Sequence, residues 1–138
     1  MSGAMLAREP STRDFAELNP SNQREALRIL ARMTRRAVTS PTVVTVARKL
    51  TNSCKSRDDE CELRKIWEAV KYGSKDVAGL ARGVRYVSDP LPADFFQGPA
   101  RTLKSCRGGA CAEDCDGHAA LVVALAGALG FHVGVRAW

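Results

Sequence analysis

Residues 111–130 decide how the chain is read: Cys111-Ala-Glu-Asp-Cys115-Asp-Gly-His118-Ala-Ala-Leu-Val-Val-Ala-Leu-Ala-Gly-Ala-Leu129-Gly130. From Cys115 to Leu129 the pattern is apolar on every side, which predicts a central helix covered by other elements. Gly130 takes the role of a C-terminal helix glycine. Phe131, Val133, Val135 and Ala137 then alternate with His132, Gly134, Arg136 and Trp138, the pattern of a half-buried strand. A lone strand leaves its backbone without partners, so a sheet is expected to continue beyond Trp138. The fold class expected is α+β: a mainly helical N-terminal part whose buried central helix leads into the first strand of a sheet.

Upstream, residues 1–20 are polar, contain Pro10 and Pro20, and are expected to form a flexible arm. Residues 21–56 form a basic helical segment. Ser21 or Asn22 can cap a helix to about Ala37, with Ala26, Ile29, Leu30, Met33 and Ala37 on one face. Ser40-Pro41 opens a second helix through about Leu50, although the β-branched Val43, Val44 and Val46 leave a strand open. The core is expected over residues 57–138. In it, a third helix carries Leu63, Ile66, Trp67 and Val70 inward and ends at Gly73, with a short helix over residues 75–82. Val84 to Val87 reads as a short extended piece, residues 88–99 as an ordered loop, Pro99 to Leu103 as one helical turn, and Arg107-Gly108-Gly109 as a turn. Trp67 and Tyr86 are both expected in the core.

The totals suit one soluble domain: 45% hydrophobic and 26% charged residues over 138 positions. No apolar run reaches the roughly 18 residues of a membrane span. The N-terminus lacks the basic start and apolar stretch of a secretory signal, which points to a cytoplasmic protein or a virion protein assembled in a cytoplasm. The net charge of +6 is unevenly placed: residues 1–53 hold nine Lys/Arg against four Asp/Glu, and the remainder twelve against eleven. Arg24, Arg28, Arg32 and Arg36 recur every fourth residue and form one helical ridge. That ridge is either a solvated face or a contact for nucleic acid or an acidic partner. An odd count of five cysteines without an export signal argues against a disulfide framework. Cys54 and Cys61 match no metal motif and are read as structural or incidental.

Cys115 begins the apolar helix, which is a good place for a nucleophile. The unpaired amides and positive dipole end of a helix favour thiolate and can hold an oxyanion. Asp114 and Asp116 oppose the thiolate, so full activation calls for a cationic partner. His118 lies one turn on, at a spacing that sets it near Cys115 and makes it a candidate in-helix base. A rival set for the same region is zinc: Cys106, Cys111, Cys115 and His118 supply four competent ligands within thirteen residues.

This stretch resembles the transglutaminase-like superfamily of papain-related cysteine domains, and particularly its compact bacterial and phage forms. Those forms carry G-D-C-D-D-x-A, a helix ending in A-L-G, and a strand with an arginine. The matching residues are Glu113-Asp114-Cys115-Asp116-Gly117-His118-Ala119, then Ala128-Leu129-Gly130, then Val133 to Trp138. Upstream, Val84-Arg85-Tyr86-Val87-Ser88-Asp89-Pro90 is similar to the family's V-R-Y-x-x-D-P, Gln97-Gly98-Pro99 to its Q-x-P, and Leu103 holds the hydrophobic position that follows. Gly117 departs from the usual second acid, and Ser105 to Ala112 looks like an insertion carrying Cys106 and Cys111. The resemblance covers roughly residues 60–138. It implies a transglutaminase-like or papain-like sheet and Cys115 as nucleophile, with no cofactor and no metal. The histidine and aspartate partners would stand on strands past residue 138. His132 falls in the first strand, where the family has no catalytic residue. The reaction implied is acyl transfer or amide hydrolysis on a protein or peptide, with little activity from these residues alone. A second implication is a non-catalytic phage virion or structural protein that keeps the fold and contacts neighbouring virion proteins.

Overall fold

The computed structural model describes residues 15–18, 23–87, 94–113 and 115–134. It is a mainly helical α+β arrangement. The chain runs β1 (Phe15–Leu18), α1 (Gln23–Ala37), α2 (Pro41–Thr51), α3 (Asp59–Lys71), a 3₁₀ turn (Ala78–Leu80), β2 (Val84–Tyr86), β3 (Asp94–Gln97), α4 (Pro99–Lys104), β4 (Cys111–Glu113) and α5 (Cys115–Ala128).

α1 follows its sequence period: Leu30, Met33, Thr34 and Ala37 are buried, while Arg24, Arg28, Arg32 and Arg36 stay exposed. The valine-rich segment left open between helix and strand is α2. Val43, Ala47 and Leu50 fall on one helical stripe and are fully buried, so packing overrides the weak β preference. α3 starts at Asp58, whose carboxylate accepts the Cys61 N–H at 3.1 Å, and Asp59, Glu60 and Glu62 crowd its positive end. A Cys54–Cys61 disulfide closes the connection between α2 and α3.

α5 is the central element. It packs against each of the other four helices and against β3 and β4. Leu121, Ala124 and Leu125 enter the main core with Val43, Leu50, Ile66 and Leu80, and Ala120 joins a smaller cluster of Leu30, Met33 and Phe96. The expected covering is nevertheless one-sided. Ala119 is exposed, and His118, Val122, Val123, Gly127, Ala128 and Leu129 are only half-buried.

Two short sheets flank this helix. β2 and β4 pair in parallel with Val84 beside Cys111 and Tyr86 beside Glu113. β1 and β3 pair antiparallel from Phe15 opposite Gln97 to Leu18 opposite Asp94. The expectation of a flexible arm over residues 1–20 is therefore corrected at Phe15–Leu18, whose backbone finds a ladder in a segment expected to be loop; residues 1–14 and 19–22 lie outside the described residues. The expected strand after α5 is not formed over residues 131–134, because no described strand runs beside it, and residues 135–138 lie outside the described residues. Among the described residues, no helix is long and apolar enough to cross a membrane.

Candidate active site at the start of the central helix

The hairpin ahead of Cys115 is built by its turn residues. Gly108 and Gly109 take φ of 59° and 83°, the doubly left-handed pair that a tight two-residue hairpin turn requires. Arg107 and Ala110 exchange both backbone hydrogen bonds, at 2.8 and 3.0 Å. The next pair outward, Cys106 and Cys111, is then the close, non-hydrogen-bonded kind, with Cα atoms 4.0 Å apart, and it forms a disulfide. Cys111 begins β4, which leads within a few residues into α5 at Cys115.

These pairings correct two expectations. The chain does carry disulfides, and the zinc set of Cys106, Cys111, Cys115 and His118 does not hold. Cys106 and Cys111 spend their sulfurs on each other, and no group of metal-binding side chains is found among the described residues. Of the five cysteines, four are paired, so Cys115 has no cysteine left in the chain to join. It is the first residue of α5.

His118 is in the first turns of the same helix. Its Nε2–H donates to the Val84 carbonyl at 2.9 Å, which ties α5 to β2. A proton taken from the Cys115 thiol would therefore have to reach Nδ1. His132 stands beyond the other end of α5, and a fourteen-residue helix spans roughly 20 Å. The described residues thus place His118 near Cys115 in the chain and leave His132 remote.

A carboxylate that sequence reasoning missed lies at this helix start. Glu113 is buried, and its Oε2 accepts from Thr102 Oγ1 at 2.6 Å and from Gln97 Nε2 at 3.0 Å. The donors come from the end of β3 and from α4, so one carboxylate joins both to the end of β4, just ahead of α5. Gly117 makes room for it: a Cβ there would run into the Glu113 carboxyl group. The signal available in the sequence was the pairing of an acid at 113 with a glycine four residues later.

Three further residues also depart from expectation, the first being Leu63, expected to point inward and 42% exposed. Trp67 is 48% exposed and Tyr86 61% exposed, where both were expected in the core. They face a cleft of about 440 Å³ with Val70, Val84, His118 and Val122 on its walls. Lys71 sits over the Trp67 ring at 4.8 Å and over Tyr72 at 5.4 Å. A helical apolar stripe marks residues that avoid water in part; it does not distinguish a core from the wall of a cleft. Comparison with protein-family models, curated proteins and solved structures finds no match to this chain.

Proposed function

We propose that the chain is a transglutaminase-like cysteine domain in which Cys115 attacks an acyl carbon. The thiolate would form a thioester and release an amine or thiol, and water or a second amine would then take the acyl group. The observation that carries this reading is the position of the odd cysteine: four of five sulfurs are tied in pairs, and the remaining one opens the apolar central helix directly after a strand. Helix-start amides favour a thiolate and can hold an oxyanion. The apparent motif departure also fits. The family form has glycine and acid where this chain has Glu113 and Gly117, so the two residue types have exchanged places, and a carboxylate still lies by the first turn of the helix.

A base is the weaker half of the site. His118 commits Nε2 to Val84, and His132 is remote, so deacylation by these residues alone is expected to be slow. Base catalysis contributes about 10²–10⁴-fold where it is present. The two disulfides favour an oxidising setting, such as an extracellular particle, over a reducing cytosol. Intact-mass measurement after incubation with an activated thioester tests the proposal. A single acyl adduct is expected, absent from Cys115→Ala and retained in His118→Ala. Loss of the adduct in His118→Ala would move the mechanism to the in-helix pair. No adduct at all would favour the second reading, a non-catalytic interaction or virion component, which the half-covered face of α5 also suits.

A further inference from the structure

Beside the aromatic cleft lies a second one of about 400 Å³, sharing Lys71 and Val84 as its walls. Its lining brings Arg82, Arg85 and Arg107 together with Lys71, and no carboxylate among the described residues lines it. None of the four cations is ion-paired among the described residues. They come from four places: the end of α3, the turn before β2, β2 itself, and the disulfide-closed hairpin. The hairpin is held against the rest by the Arg82 N–H, which donates to the Gly109 carbonyl at 2.7 Å. Like charges lining one cleft repel one another to the extent that salt does not screen them, and a bound anion would relieve that repulsion.

The geometry points to a binding site for an acidic peptide segment: an apolar side chain in the Trp67–Tyr86 cleft, and flanking carboxylates against Lys71, Arg82, Arg85 and Arg107. Charge complementarity selects the anion. The aliphatic walls, Val70, Val84 and Val122, select an inserted side chain over a base stacked on a flat aromatic platform. Planar Arg forks suit carboxylates in particular. The site stands whether or not Cys115 reacts, and it lies along the first turns of α5, which carry Cys115.

Fluorescence anisotropy with a labelled peptide of one leucine between glutamates tests this, with a lysine counterpart and oligothymidylate as comparisons and far-UV circular dichroism as the folding check. The glutamate peptide is expected to bind and the lysine peptide not. Joint Arg85→Glu and Arg107→Glu substitution should weaken binding by about tenfold or more, and Trp67→Ala by about fivefold. Arg28→Glu with Arg32→Glu on α1, and Cys115→Ala, should leave it unchanged. Three outcomes would overturn the site: no peptide binding, equal losses from the α1 and hairpin reversals, or tighter binding of oligothymidylate than of the peptide.

Discussion

Helices α1 and α5 place their apolar residues by opposite rules. α1 has an apolar stripe and an arginine ridge; the structure buries Leu30, Met33 and Ala37 of the first, half-buries Ala26 and Ile29, and exposes the second. α5 is apolar nearly all round, and it is fully buried along Leu121, Ala124 and Leu125 and again at Ala126, but not at Ala119 and Val122. The side of Ala119 and Val122 opens on the cleft beside Trp67 and Tyr86. In α1 the pattern marks the buried side, although Ala26 and Ile29 at its edge stay half-buried and Thr34 is buried with it. In α5 it exceeds the burial, and the surplus lies where Ala119 and Val122 line the cleft.

The sharpest way to break that contrast is to truncate neighbouring residues of α5. Leu121→Ala removes a fully buried side chain and is expected to cost about 2–5 kcal/mol in urea unfolding. Val122→Ala, half-buried on the open side, should cost about 1 kcal/mol or less. Equal costs would mean that the open side is covered in solution.

A smaller effect is expected at the helix start. Gly117→Ala drives a methyl group into the Glu113 carboxyl and should cost about 1–3 kcal/mol. In a Glu113→Ala background most of that penalty should vanish, which a double-mutant cycle reads directly. Thr102→Val keeps the shape and removes a donor from the buried Glu113 carboxylate, with an expected loss of about 1–2 kcal/mol. The same change should leave α1 untouched.

The smallest effect belongs to the arginine ridge. Arg28→Ala and Arg32→Ala are expected to shift stability by no more than about 0.5 kcal/mol, since both side chains are exposed. If the ridge contacts nucleic acid, those changes should flatten the salt dependence of binding. A salt-independent interaction would rule out phosphate contacts there.

The helices were legible because each carries a period, a cap or a stop: Leu30 and Met33 with Ala37, Pro41 at the start of α2, Gly73 and Gly130 past helix ends. β4 was not, because three residues hold no period, and β1 and β3 find each other across most of the chain. Cysteine spacing alone cannot give a pairing, although cysteines placed symmetrically about Arg107-Gly108-Gly109-Ala110 are what a closed hairpin requires. The candidate nucleophile could be named from the start of an apolar helix. Glu113 was missed: the acid at 113 and the glycine at 117 are visible in the sequence, but only the folded helix shows that the one makes room for the other.

Peptide-mapped alkylation of the folded, unreduced protein with iodoacetamide tests the central assignment most directly. The expected result is one adduct per chain, on the peptide containing Cys115, with Cys54 recovered bonded to Cys61 and Cys106 to Cys111. Label on Cys106 or Cys111, or a Cys115 that stays unlabelled while another cysteine reacts, would contradict it.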